Sequence, residues 1–362
     1  MEQTAYLVLE NGQQFKGRAF GAAGEAMGQT VFTTGMAGYL ETLADPNHFG
    51  QIVVQTFPII GNYGIIPSDL EDRQPVLNAY VVKHWCREPS NFRSEGDLDT
   101  FLKAKGIVGL CGVDTRTLTQ MIREHGVMNG IITSDPGRVD WDALRNYRTK
   151  DIMARVGTDK PYHAASGGQY KVCLIDFGLK NSLIAELVRR DCDVTVLPPG
   201  SGPDVIAAYK PDGVMLSGGP GDPADCPEIV QNIKTLLDTG LPIFGVCLGH
   251  LLLAKAAGCE HIALKYGHRG VGQPVRDLST GRVYVTEQNH GYAAVVGGAG
   301  KDRLRALFVN LNDGTCEGVE WPDKPAFSVQ FTPRTCPGPQ DTGFLYDRFV
   351  GMMGRPYRKE CD

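Results

Sequence analysis

The sequence has no apolar run long enough to cross a membrane: its longest, around Leu241–Leu253, is broken by His250, short of the roughly 18 residues a span needs. The opening Met1-Glu2-Gln3-Thr4 lacks the basic stretch and apolar core of a signal peptide. No membrane partner is therefore expected, and the compartment expected is the cytosol. An excess of charge is missing too, with 36 Lys+Arg against 41 Asp+Glu and a net charge of −5. Such a balance gives no broad attraction to nucleic-acid phosphates, so no nucleic-acid partner is expected. The ten cysteines include no C-x-x-C pair and no Cys-His zinc spacing. They read as free thiols, with neither a disulfide framework nor a metal site. Internal repeats and low-complexity tracts are absent. What remains is ordinary globular composition, 42% hydrophobic and 21% charged over 362 residues, enough chain for two or three domains.

The two halves differ in rhythm. Tyr6–Glu10, Asn11-Gly12 and Gln13–Gly17 form a hairpin signal, because Asn-Gly suits a two-residue turn with positive φ. Short β-rich runs follow at Val31–Thr33, Gln51–Phe57 and Asn78–Lys83, with helices expected at Asp97–Lys105 and Thr115–His125. Residues 1–156 thus read as an α+β domain, and the loop-forming stretch 157–169 as a linker. From residue 170 to 362 strands and helices alternate: strands at Lys171–Asp176, Asp193–Leu197, Gly213–Leu216 and Leu241–Val246, helices at Leu179–Arg190, Pro227–Asp238 and onward to Ala257. Alternation of this kind implies an α/β domain with a parallel sheet covered by helices.

The sharpest chemical signal is Gly245-Val246-Cys247-Leu248-Gly249, between a strand and a helix. This is G-x-C-x-G, the thiol form of a nucleophile elbow. The glycines keep side chains clear of a sharp turn, and the helix end that follows favours a thiolate. The amide of Leu248 is placed as an oxyanion donor. A buried structural cysteine beside helix-packing glycines is the plainer reading of the pentapeptide alone. The second segment, Leu216-Ser217-Gly218-Gly219-Pro220-Gly221-Asp222-Pro223, does not match G-x-x-x-x-G-K-[ST], which argues against a phosphate-cradling loop. It either offers backbone amides to the cysteine site or makes a tight turn.

Taken together, Leu216–Pro223, Phe244–Leu253 and Gln288-Asn289-His290-Gly291-Tyr292 resemble the triad-type (class I) glutamine amidotransferase domain. In the first half, Gly35-Met36-Ala37-Gly38-Tyr39, Asp45-Pro46, Ile60-Gly61-Asn62-Tyr63-Gly64 and Asp114-Thr115-Arg116 resemble the small subunit of carbamoyl-phosphate synthase. Pro337-Gly338-Pro339 and Phe344–Asp347 extend the likeness over nearly the whole chain. The resemblance implies a carbon–nitrogen ligase subunit with a glutaminase site. A cysteine attacks the L-glutamine amide, ammonia leaves, and the glutamyl thioester is hydrolysed. It also implies a large-subunit partner, which uses ATP, bicarbonate and Mg to make carbamoyl phosphate for pyrimidine or arginine synthesis; this chain needs no cofactor of its own. Cys247 matches the nucleophile. Gly219, Gly221, Leu248, Asn289, Gly291 and Tyr292 match glutamine-contacting positions, with Tyr292 in place of the usual Phe.

Four positions depart from that pattern. The family completes its triad with a His and a Glu in a Gln-x-His-Pro-Glu segment, which here reads Gln330-Phe331-Thr332-Pro333-Arg334. The substrate-facing Gln four residues past the nucleophile is Leu251, and a Ser after Asp-Pro is Asn47. Threonine is no base near neutral pH, and arginine has no acceptor, its pKa lying above ~12. A cysteine of pKa ~8.5 is only a few per cent thiolate at pH 7, and loss of a positioned acid–base costs ~10² to 10⁴ in rate. Leu251 further removes a polar partner from a polar substrate. Of the eight histidines none follows residue 290, which leaves His290 as the stand-in to weigh. His250 is expected to pack or hydrogen-bond within the elbow helix, and His268 to lie in a surface loop. Three readings follow: a small subunit with impaired glutamine hydrolysis, an active glutaminase rearranged around Cys247 and His290, and a non-catalytic ligand-sensing or scaffold module.

Overall fold

The computed structural model describes residues 3–71, 73–149, 151–297, 303–334 and 338–354. The chain divides into two compact units, Met1–Lys150 and Asp151–Asp362.

In the first unit the strands are β1 (Thr4–Leu9), β2 (Gln14–Gly21), β3 (Ala26–Thr33), β4 (Gln51–Gln55), β5 (Ile59–Ile60), β6 (Ala79–Val81), β7 (His84–Trp85), β8 (Val108–Cys111) and β9 (Met128–Thr133). The helices are α1 (Tyr39–Ala44), α2 (Leu98–Lys105), α3 (Thr115–His125) and α4 (Trp141–Arg145). The β1–β2 hairpin turns around Asn11-Gly12, but as a three-residue connection in place of the two-residue turn expected: Leu9 N donates to Gln13 O at 2.9 Å, and Gly12, at φ 89°, supplies the positive φ. Asp97 and Asp114 cap α2 and α3 by accepting from the amides of Thr100 and Thr117. The order β1-β2-β8-β6-β4-β3-β9 closes into a seven-stranded barrel, a closure the local pattern does not announce because β9 must pair with both β1 and β3. Asn47 lies in a short turn after α1, its amide donating to Asp45 Oδ1 at 2.9 Å.

The second unit holds α5 (Ile152–Val156), β10 (Tyr162–Ala165), β11 (Tyr170–Ile175), α6 (Asn181–Val188), β12 (Cys192–Leu197), α7 (Pro203–Ala208), β13 (Gly213–Leu216), α8 (Pro227–Leu237), β14 (Ile243–Val246) and α9 (Leu248–Ala256). Then come β15 (Glu260–Asp277), β16 (Val283–Val295), β17 (Arg305–Asn310), β18 (Cys316–Glu320), β19 (Ala326–Val329) and α10 (Phe344–Met353). They build a ten-stranded sheet ordered β10-β12-β11-β13-β14-β19-β18-β16-β15-β17. The five strands from β12 to β19 are parallel. Successive residues of β11 enter opposite cores, Cys173 and Ile175 on one face, Val172 and Leu174 on the other. That is why the strand reads as a continuous apolar run.

Two expectations change. The sheet is not parallel throughout, because β18, β16, β15 and β17 extend it antiparallel. The unit boundary falls between residues 150 and 151, ahead of the stretch 157–169. Within that stretch Tyr162–Ala165 pairs antiparallel with β12: its Tyr and His side chains suit an edge strand despite the flanking Gly and Pro. No helix among the described residues is long and apolar enough to cross a membrane.

Candidate active site

β14 delivers Cys247 at its carboxyl end, with φ 52° and ψ −107°, a backbone geometry that costs a β-carbon-bearing residue on the order of 1–3 kcal/mol. Two hydrogen bonds fix the turn: Cys247 N donates to Val329 O at 2.9 Å and Gly249 N to Ser217 O at 3.1 Å. The elbow glycines are required by contact. A β-carbon on Gly249 would lie 2.5 Å from Leu216 O, and one on Gly245 would lie 2.8 Å from Gly249 O. Leu248 opens α9, and the first amide of a helix has no intrahelical acceptor, so this N–H, next in the chain to the nucleophile, needs its acceptor from outside the helix.

The glycine loop stands against the cysteine. The position a β-carbon would take on Gly218 is 3.3 Å from Cys247 Cβ, while on Gly219 it would be 2.1 Å from Phe177 O. Gly221 has φ 121°. On the other side the Cys247 thiol donates to Asn289 O at 3.8 Å. The structure therefore brings together three of the sequence segments, Gly218–Gly221, Cys247-Leu248 and Asn289. Gly291 faces Arg269, whose Nη2 is 3.6 Å from the β-carbon position, and the Tyr292 ring meets His261 edge-on at 5.8 Å. Leu251 is 3% exposed in the apolar cluster with Leu248 and Leu252, one turn past the nucleophile, so position 251 itself offers no polar group.

The residues at the triad positions follow β19. Thr332 is buried, and its amide donates to Glu287 O at 3.1 Å in an isolated antiparallel bridge. Arg334, at φ 50°, is held elsewhere: its Nε lies 3.0 Å from Gln340 Oε1 and 3.3 Å from Glu186 Oε1 on α6. Glu186 is 3% exposed and also binds Arg189 and Arg190, the latter at 2.7 Å. Neither Thr332 nor Arg334 can take a proton from the thiol and return it to ammonia.

The histidines of this unit are committed to other partners. Gln288 and His290 share the more buried face of β16, opposite Glu287 and Asn289. His290 Nδ1 lies 2.7 Å from Tyr292 O and Nε2 3.1 Å from Gln288 Oε1. Burial, with the neighbouring His268, holds the imidazole well below its usual pKa and so neutral. His250 is fully buried, with Nδ1 2.9 Å from Ser328 Oγ on β19; its partner belongs to a neighbouring strand and not to the elbow helix. His268 corrects the surface-loop expectation. It is 7% exposed, inside β15 and opposite His290, because the glycine-rich stretch around it is extended strand.

The sequence reading passed over two charged residues. Lys180 Nζ pairs with Glu287 Oε1 at 3.1 Å, and Glu287 Oε2 is buried without a hydrogen-bond partner. Bridge partners project to the same side of a sheet, so Glu287 shares the Thr332 side and the Asn289 face. Its signal was adjacency, one residue before Gln288-Asn289-His290. Pro337 of the carboxyl-terminal motif lies outside the described residues.

Comparison with known proteins agrees with this geometry. "Carbamoyl-phosphate synthase small chain, CPSase domain" matches residues 7–132, and "Glutamine amidotransferase class-I" matches residues 173–352. A carbamoyl phosphate synthase small chain from Oceanobacillus iheyensis is 45% identical over 351 residues, 96% of this chain and 95% of that one. One from Bacillus caldolyticus is 44% identical, covering 98% and 97%. A pyrimidine-specific small chain from Halalkalibacterium halodurans is 44% identical, covering 96% of each. With both domains matched in order over nearly its full length, the chain belongs to the carbamoyl phosphate synthase small chain family.

Proposed function

We propose that this small chain supports carbamoyl phosphate formation with a large, ATP-using subunit while its own hydrolysis of L-glutamine is impaired, so that free ammonia is the effective nitrogen source. The observation that carries the reading is the placement of Thr332 and Arg334. Threonine stands where the family has its base, and the guanidinium at the family's carboxylate position is bound by Glu186 and Gln340. The elbow, the Leu248 amide and the glycine loop are kept, so attack of Cys247 on the amide carbon retains its electrophilic support. Protonation of the leaving ammonia and activation of the hydrolytic water have lost theirs. Leu251, in place of Gln, further weakens recognition of the polar substrate.

The test is carbamoyl phosphate synthesis by the complex reconstituted with a large subunit, supplied with glutamine or with ammonium. Ammonium-dependent turnover at least ~10²-fold above glutamine-dependent turnover at saturation is expected from the loss of a positioned acid–base. Equal turnover from the two overturns the reading. Mass spectrometry of Cys247 after exposure to glutamine separates a failed attack, with no adduct, from a failed hydrolysis, with an accumulated thioester.

Glu287 favours a second reading, an active glutaminase in which this carboxylate, rather than His290, serves the thiol. It shares the Thr332 side and carries a buried oxygen without a hydrogen-bond partner. Ammonia release that requires Cys247 and is abolished in Glu287→Gln would select it.

A further inference from the structure

Behind the strand that borders the thiol, three side chains from three strands converge: His268 of β15, His290 of β16 and Glu317 of β18. One ligand atom from each lies within 4.8 Å of the others. His268 and His290 are directly opposed in the antiparallel register, their rings 4.9 Å apart. All three are buried, and Glu317 has no exposed surface at all.

The outer atoms of the two imidazoles are already held in the manner of metal ligands. His268 Nε2 is 2.8 Å from Asp313 Oδ2, and His290 Nδ1 is 2.7 Å from the Tyr292 carbonyl. Metal-binding histidines characteristically donate the second ring N–H to a carboxylate or a backbone carbonyl, which fixes the tautomer. With those protons placed outward, His268 Nδ1 and His290 Nε2 present lone pairs inward. Around them acceptors predominate, Glu317 Oε1 at 3.2 Å from His268 Nδ1 and Gln288 Oε1 at 3.1 Å from His290 Nε2, with one donor, Asn310 Nδ2, at 3.4 Å from His268 Nδ1. One further observation points to a missing cation partner: Glu317 Oε2 is buried with no hydrogen bond.

We propose that His268, His290 and Glu317 form a structural zinc site, with the Gln288 carbonyl oxygen completing a four-coordinate shell. Two imidazoles and a carboxylate are a ligand set that zinc accepts. Zinc–ligand bonds of ~2.0–2.2 Å place tetrahedral donors roughly 3.3–3.5 Å apart, so the widest separation must close by more than ~1 Å on binding. The ion would clamp β15, β16 and β18 together directly behind Asn289, stiffening the wall against which the Cys247 thiol rests. The proposal is independent of whether glutamine is hydrolysed.

The test uses the purified full-length chain, stripped with a chelator and titrated with Zn²⁺ and, separately, with Co²⁺ as a spectroscopic probe. One tightly held equivalent of Zn²⁺ is expected, with a thermal midpoint several degrees higher. Tetrahedral Co²⁺ visible bands should appear without sulfur-to-cobalt charge transfer. In the isosteric Glu317→Gln variant, affinity should fall at least ~100-fold. Absence of stoichiometric metal, charge-transfer bands from thiolate ligands, or unchanged affinity in Glu317→Gln each overturn it. The Co²⁺ spectrum of the unsubstituted chain decides the matter even if the variant fails to fold.

Discussion

Arg334 closes on the buried carboxylate of Glu186, Nε to Oε1 at 3.3 Å. A residue at the family's acid position has thus become part of an ionic cluster between α6 and the segment leading into α10, which includes Arg190 and Asp347 at 2.6 Å. Arg334→Glu on its own sets a second carboxylate against Glu186. It is expected to lower stability by ~1–3 kcal/mol, read as a drop in thermal midpoint. Glu186→Gln in the same chain should recover most of the loss; an additive double-mutant cycle would show that the two side chains do not interact.

On the proposed reading of impaired hydrolysis, restoring chemistry takes both positions. Thr332→His with Arg334→Glu is expected to raise glutamine-dependent ammonia release by ~10² to 10⁴, and Cys247→Ala in that background should remove the gain. Thr332→His alone should give less, because an imidazole without its carboxylate partner is poorly oriented. Ammonia release by the three variants, compared with the parent, checks the order.

The glycine loop gives a steric prediction. Gly219→Ala must displace Phe177 O from 2.1 Å and Gly249→Ala must displace Leu216 O from 2.5 Å, whereas nothing lies within 4 Å of the corresponding point on Gly272. The first two are expected to destabilise by ~1–3 kcal/mol. Gly272→Ala should stay within ~0.5 kcal/mol. Chemical denaturation of the three variants reads this directly.

Acid should loosen the elbow. Burial pushes the His250 imidazole down to about 3 from 6.5, so the folded chain keeps it neutral while the unfolded chain protonates it below pH 6.5. The stability it contributes is present above 6.5 and is lost as pH falls toward 3, at up to ~1.4 kcal/mol per pH unit for one proton. In the metal-free chain His268 acts in the opposite sense: burial lowers its pKa, but Glu317 and Asp313 outweigh that and raise it, which adds stability on the acid side. His250→Gln should flatten the fall in unfolding midpoint between pH 6.5 and 4.5; an unchanged slope counts against the assignment.

The legible parts of the fold were those set by neighbouring residues. Asn11-Gly12 and the strand–elbow–helix around Cys247 are written in a few consecutive positions. The barrel closure is not, because β9 meets β1 and β3 across about a hundred residues or more. The β15–β16 hairpin escaped for another reason. Gly267, Gly270 and Gly272 interrupt any alternation, and register breaks between Ala263 and His268 and between Gly270 and Gln273 disturb the pairing. That is why His268 read as a loop residue. In the candidate site, positions 247, 248 and 289 are named by motif and family resemblance, whereas Glu287 becomes visible only through its bridge to Thr332.

The contorted backbone at Cys247 also separates stability from chemistry. With φ 52° and ψ −107°, the position suits glycine better than cysteine, and Cys247→Gly would relax it by on the order of 1 kcal/mol. The sulfur is thus held at a conformational cost to the fold, where β14 ends and α9 begins.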